Sequence, residues 1–129
     1  MRFLNGRTNR ATYWFSVGIL IAMYAAVYFI TSKPVHIAEV VLVILGVPRL
    51  HDIGKSGWWA GGVFLAEIVV AVLGVAILPS QIMLAPIGLF VLVVAGLLIW
   101  LGCIPGQPHE NQYGEPPGPG IQFKRKPAG

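Results

Sequence analysis

Charged residues are scarce in this chain. They make up 11% of its 129 residues, whereas hydrophobic residues make up 56%, and the mean hydropathy is +0.74. A water-soluble domain of this length covers its surface with polar side chains, which this composition does not supply. The sequence therefore excludes an ordinary soluble domain and predicts an outer surface that faces lipid.

Cysteine and histidine are also few, and each shortage removes a kind of chemistry. The single cysteine, Cys103, excludes an internal disulfide. The three histidines, His36, His51 and His109, are too far apart in sequence to give the ligand spacing of a metal site. The chain also lacks a Gly-rich phosphate loop, a nucleophile elbow and the repeated aspartates of lipid phosphotransferases. We expect no metal and no cofactor, and we assign no catalytic residue.

Basic residues outnumber acidic ones, and the net charge is +4. They form no charged face, and the run at 124–126 is the longest. We therefore predict no nucleic-acid partner and interpret the basic residues as determinants of membrane topology.

Long apolar runs are what the chain does contain. Four of them are predicted to be helical spans, at 12–31, 35–53, 58–78 and 82–104. Each approaches the roughly 20 residues that a helix needs to cross a hydrocarbon core of about 30 Å. The predicted fold is all-α: a polytopic membrane protein with a four-transmembrane-helix bundle in residues 1–104. Thr8 and Asn9 are candidate caps of the first helix, and Tyr13 and Trp14 are expected in an interfacial aromatic belt.

The last part of the chain has a different composition. Residues 105–129 contain six prolines and five glycines, and such a segment buries too little apolar area to fold alone. With the amino terminus inside, eight of the nine lysines and arginines lie on the cytoplasmic side, and Lys33 alone lies outside. This bias predicts that both termini are cytoplasmic, so that 105–129 is a cytoplasmic tail.

The second span is unusual because it is short and contains a proline. From Val35 to Pro48 it has 14 residues, about 21 Å of helix. Either the helix kinks or breaks at Pro48, or it continues through Arg49 towards Ile53. If it continues, Arg49 and Asp52 are three residues apart and form a pair.

Besides Arg49, His51 and Asp52, three acidic or basic side chains fall within the predicted spans. Glu67 lies near the centre of the third span, where a carboxylate costs about 3 kcal/mol. It is interpreted either as a proton or cation site or as a protonated acid bonded to a backbone carbonyl or a neighbouring helix. His36 and Glu39 lie one helical turn apart near the outer interface, where we favour a solvated or hydrogen-bonded pair over a site.

The segment 49–59 has the highest density of ionisable side chains, namely Arg49, His51, Asp52 and Lys55. Together with the amino-terminal arginines, Arg49 and Lys55 would form a cationic pocket for an anionic lipid headgroup. Alternatively, these side chains only anchor the loop at the headgroups. An enzymatic use of His51 and Asp52 on lipid headgroups is the least supported alternative.

Three segments together carry a family resemblance. They are Phe3-x-x-Gly6-Arg7-x-x-Arg10-x-x-Tyr13-Trp14, then Arg49-Leu50-His51-Asp52-Ile53-Gly54-Lys55-Ser56-Gly57-Trp58-Trp59, then Pro105-Gly106 with Asn111-x-Tyr113-Gly114-x-Pro116. In these motifs the chain resembles the bacterial inner-membrane family called domain of unknown function 805. The resemblance implies a small multi-pass protein of the bacterial plasma membrane and implies no reaction.

Because the predicted topology places all three segments on the cytoplasmic side, we expect their polar side chains to form one cluster. Its members are Arg7, Arg10, Arg49, His51, Asp52, Lys55, Asn111 and Tyr113.

Three functional hypotheses follow. The first is a small transport, channel or lipid-interacting component; it is expected to be a homo-oligomer, because four helices more easily form a pathway past Glu67 between protomers. The second is an accessory or scaffold subunit that docks a partner through its basic loops and tail. The third is a membrane enzyme. The expected partners are membrane lipids, including anionic headgroups.

Overall fold

The computed structural model describes residues 6–33, 37–79, 82 and 84–123, and within these ranges it is all-helical, without a β-strand. This confirms the predicted all-α class. The four helices are α1 (Arg10–Thr31), α2 (Ile37–Asp52), α3 (Trp58–Ile77) and α4 (Leu84–Cys103).

Two helices, α1 and α3, are long and apolar enough to cross a membrane. α2 has 16 residues, and the apolar stretch Gly88–Cys103 of α4 is also shorter than a typical span. Asn9 caps α1, because its side chain accepts the backbone N–H of Thr12 at 2.8 Å. Ser32 ends α1 in the left-handed conformation and donates its N–H to the Tyr28 carbonyl.

α2 continues through Pro48 and ends at Asp52. Of the two alternatives for the second span, the structure therefore shows the continuous helix. Gly54 then adopts a φ of +76°, which glycine reaches without strain. The chain turns there and begins α3 four residues later.

The two central helices are α2 and α4, each of which packs against the other three. α1 and α3 lie on opposite sides and make no contact through the described residues. Most of the buried side chains lie at one end, near the beginning of α1 and the ends of α2 and α4: Arg7, Thr12, Tyr13, Val17, Arg49, His51, Asp52 and Leu101.

The outer faces of the helices are apolar and open. Large side chains such as Phe29, Ile77 and Leu92 are more than two-thirds exposed. The bundle therefore buries its polar groups at one end and presents hydrocarbon along its sides.

Candidate functional site

A buried carboxylate lies at the centre of the polar end. Asp52, the last residue of α2, accepts a hydrogen bond at Oδ1 from Arg7 Nε at 3.0 Å and at Oδ2 from Arg49 Nη1. The three side chains are at most 4% exposed. The predicted pairing of Arg49 with Asp52 is confirmed, and Arg7 is a second cation on the same carboxylate.

Arg49 also caps the carboxyl end of α4. Its Nε donates to the Leu101 carbonyl at 3.1 Å and its Nη2 donates to the Ile104 carbonyl. The Trp14 indole donates to the Gly102 carbonyl at 3.1 Å. The last carbonyls of a helix have no partner within the helix and carry partial negative charge. Since α4 has no basic residue in its own last turn, side chains of α1 and α2 supply the missing donors.

Arg7 holds the segment that follows α4. Its Nη1 donates to the carbonyls of His109 at 2.7 Å and Gly114 at 3.1 Å, and its Nη2 donates to the Gln107 carbonyl. Asp52 completes the link, because its backbone carbonyl accepts the N–H of Gln107 at 2.8 Å. A segment predicted to be unable to fold alone thus acquires its conformation from contacts with the helical domain.

Further contacts extend this attachment along α1. The Asn9 amide donates to the carbonyls of Gly118 and Gly120, and the hydroxyl of Thr12 accepts the N–H of Gln122 at 2.9 Å. Residues 105–123 therefore lie against the beginning of α1 and the end of α2.

His51 connects four parts of the chain. Its ring stacks on Tyr113 with 3.8 Å between centroids and 7° between planes. Its Nε2 lies 3.2 Å from the backbone nitrogen of Gly57, and its Nδ1 lies 3.2 Å from the Gly6 carbonyl. A backbone N–H only donates and a carbonyl only accepts, so these contacts require the neutral ring with its proton on Nδ1. Both ring nitrogens are occupied.

Asn111 positions the turn that carries Tyr113. Its amide donates to the His51 carbonyl at 2.9 Å and to the Gln107 side chain at 2.8 Å. Its own Oδ1 accepts the N–H of Tyr113 at 2.9 Å, which closes the tight turn between Asn111 and Gly114.

The charges in this network do not cancel, since two guanidinium groups face one carboxylate. The carbonyl ends of α2 and α4 point at the same place and contribute partial negative charge. Among the described side chains, every buried nitrogen or oxygen has a hydrogen-bond partner. We call Arg7, Arg49, His51, Asp52, Asn111 and Tyr113 the polar network.

Residues 2–115 match the family described as Protein of unknown function (DUF805). The chain belongs to this family. It is 34% identical over 122 residues to the uncharacterized protein YiiR of Escherichia coli K12, covering 85% of this chain and 82% of that protein. The YiiR protein of Escherichia coli O157:H7 gives the same values. No solved structure matches the chain. The matched DUF805 region contains the whole polar network.

Six of the eight residues predicted to cluster in this DUF805 protein form the polar network. Arg10 lies at its edge, where its guanidinium is 3.5 Å from the Cys103 carbonyl. Lys55 lies outside: its side chain is exposed and forms no ion pair with any described residue. The turn at Gly54 carries Lys55 away from Asp52, so the cluster differs here from the prediction.

The remaining candidate residues lie elsewhere. Glu67 is half-buried in the middle of α3, about 14 Å along the helix axis from Trp58. His36 and the side chain of Glu39 lie outside the described residues. Within the described ranges, no three histidine, cysteine or acidic residues lie together as a group that could hold a metal ion.

Several residues of the site were not recognised from the sequence. Tyr13 was expected in an interfacial belt, but it is 1% exposed and its hydroxyl donates to the Leu98 carbonyl at 3.0 Å. Gly106 passes so close to Asp52 that a Cβ atom there would overlap the carboxylate. The burial of Tyr13 could have been expected from its position, because it lies one helical turn after the Asn9 cap, at the polar end of α1.

Proposed function

We propose that this DUF805 chain is a multi-pass protein of the bacterial plasma membrane, with four spans and both termini in the cytoplasm. In this proposal it acts as a small lipid-interacting component and not through enzymatic chemistry. The polar network is the structural link between the helical bundle and the segment after α4.

The closed hydrogen bonding of the polar network is the observation that carries the non-enzymatic part of this proposal. Both oxygens of Asp52 accept from arginines, and both ring nitrogens of His51 are bonded to backbone groups. General acid–base catalysis needs a group within hydrogen-bonding reach of a substrate, and neither side chain is free to provide one. Arg49 is fully buried, so it also does not offer its guanidinium to a lipid headgroup.

The surface of the bundle supports a membrane location. α1 and α3 are apolar enough to cross a membrane, and large apolar side chains cover the outer faces of the helices. At the polar end, the last carbonyls of α4 accept hydrogen bonds from Arg49, and those of α2 accept from Asn111 and Arg7. These bonds satisfy the helix ends next to the membrane without needing water.

The scaffold hypothesis has less support, because a free tail fits poorly with the many contacts that hold residues 105–123 on the domain. A transport path past Glu67 belongs to the first hypothesis and stays a prediction.

Reporter fusions in a bacterial host test the proposal. Fusions at the two ends, in cells fractionated into membrane and soluble parts, should give membrane-bound protein with cytoplasmic signals. A fusion in the α1–α2 turn, after Lys33, is the matched control and should give a periplasmic signal. Soluble protein, or a periplasmic signal from either terminus, would contradict the proposal.

A further inference from the structure

A groove runs between α2, α3 and α4, separate from the polar network. Its volume is about 370 Å³, which is within the range of small-molecule and lipid sites. Along α2 its lining extends from Val43 to Leu50, about 10 Å at 1.5 Å per residue, and Ile53 continues the lining just past the end of the helix. Its walls on the other two helices include Val63 of α3 and Leu97 of α4.

Among the residues that the structure describes, Lys55 is the charged side chain that lines this groove. It lies at the same end of the bundle as the polar network, just after the turn at Gly54. Trp59 and Trp100 line the groove at the same end, one on α3 and one on α4, and both are more than half exposed. The groove thus combines a cation and two indole rings at its mouth with an apolar interior.

The dimensions and charge of the groove match one kind of occupant. A hydrocarbon core is about 30 Å thick, so a groove of about 10 Å fits within one leaflet. An acyl chain enclosed there would place its headgroup at the mouth, where an ammonium group favours a negative phosphate. The apolar helix of a second copy would instead cover Lys55 without supplying a charge to pair with it, which is costly.

We propose that this groove binds an acyl chain of an anionic phospholipid, with the lipid phosphate at Lys55 and the glycerol region between Trp59 and Trp100. The inference rests on the proposed function, because it requires the bundle to lie in a membrane. Of the cationic pocket that the sequence suggested, this site keeps Lys55 and leaves out Arg49, which is buried in the polar network.

Native mass spectrometry of the full-length protein tests this assignment. The protein is reconstituted into vesicles of equal parts phosphatidylcholine and phosphatidylglycerol with identical acyl chains, then released in mild detergent, and the retained lipids are counted. Phosphatidylglycerol should be retained about fivefold more often than phosphatidylcholine, the preference expected from one cation near an anionic lipid.

Two lysine variants distinguish lipid binding at the groove from a general effect of positive charge. Lys55→Gln should bring the retention of the two lipids to equality, whereas Lys33→Gln makes the same charge change at the other end of the bundle and should leave the preference intact. Ala60→Phe introduces a ring into the groove and should abolish retention of either lipid.

The alternative outcomes are distinct. Equal retention of both lipids by the unmodified protein, or a preference that survives Lys55→Gln, would overturn the inference. A dimer that Ala60→Phe dissociates, without any retained lipid, would assign the groove to a second copy and overturn it as well. Failure of the protein to enter vesicles would contradict the proposed membrane function itself, whereas entry without lipid preference would contradict only the groove assignment.

Discussion

Neutralising Asp52 is the sharpest perturbation of the polar network. Asp52→Asn preserves the size and shape of the side chain, so the loss is electrostatic and not a loss of packing. It leaves the buried guanidinium groups of Arg7 and Arg49 without the single carboxylate that both contact.

The expected loss of stability depends on the hydrogen bonds that the two arginines retain. Removing one member of a buried ion pair costs about 3–5 kcal/mol, because the other charge remains buried and uncompensated. After the substitution, Arg49 still has the carbonyls of Thr8, Leu101 and Ile104, and Arg7 keeps its own carbonyl acceptors. These acceptors reduce the penalty, so we expect a value near the lower end, about 3 kcal/mol.

Equilibrium unfolding in mixed micelles measures this cost. Increasing the fraction of dodecyl sulfate, with tryptophan fluorescence as the signal, gives the free energy of unfolding for each variant. Lys33→Gln is the control, since an exposed lysine away from the network should change stability by less than about 0.5 kcal/mol. In cells, Asp52→Asn and Arg49→Gln should fail to accumulate, whereas Lys33→Gln should accumulate normally.

A double variant distinguishes the loss of the ion pair from a general destabilisation of the fold. If the arginine and the carboxylate act as a pair, Arg49→Gln combined with Asp52→Asn costs less than the sum of the two single changes. Stability of Asp52→Asn within about 0.5 kcal/mol of the unmodified protein would refute the role given to the network.

Two further predictions use the same unfolding assay. Gly106→Ala should lower the free energy of unfolding by about 1–3 kcal/mol, because its methyl group overlaps the Asp52 carboxylate. Gly88→Ala is the control and should not destabilise the protein, since its methyl group meets no described atom within 4 Å. Equal losses in the two variants would contradict this explanation. His51→Phe keeps a ring that can stack on Tyr113 but leaves the N–H of Gly57 without its acceptor. We therefore expect the free energy of unfolding to fall by about 1–3 kcal/mol. An unchanged free energy of unfolding would show that this hydrogen bond contributes nothing to stability.

Some of the site was predictable because it depends on local geometry. The spacing of Arg49 and Asp52 predicts a pair as soon as the helix continues through Pro48, and α2 does continue. The predicted topology also placed the segments around Arg7 and Asn111 on the same side as the end of α2. Nothing local indicated that Arg7 would share the same carboxylate, because 45 residues separate Arg7 from Asp52.

Other features of the site depend on backbone groups that every residue carries. Arg7 and Arg49 donate mainly to carbonyls of α4 and of the segment after it, and no side-chain pattern identifies those carbonyls in advance. The position of Lys55 illustrates the same limit. Its sequence neighbours suggested a shared cationic pocket, but the left-handed turn at Gly54 places it at the apolar groove instead.

The sequence by itself determined that the chain is apolar, and its long hydrophobic runs predicted the helices that the structure shows. It also determined the helical pair of Arg49 with Asp52, because that contact lies within one turn. Only the tertiary structure decided which cations of the predicted cluster are buried and which remain exposed. That choice depends on how the end of α2 meets the end of α4 and the segment beyond it, where the acceptors are carbonyl groups brought together by folding.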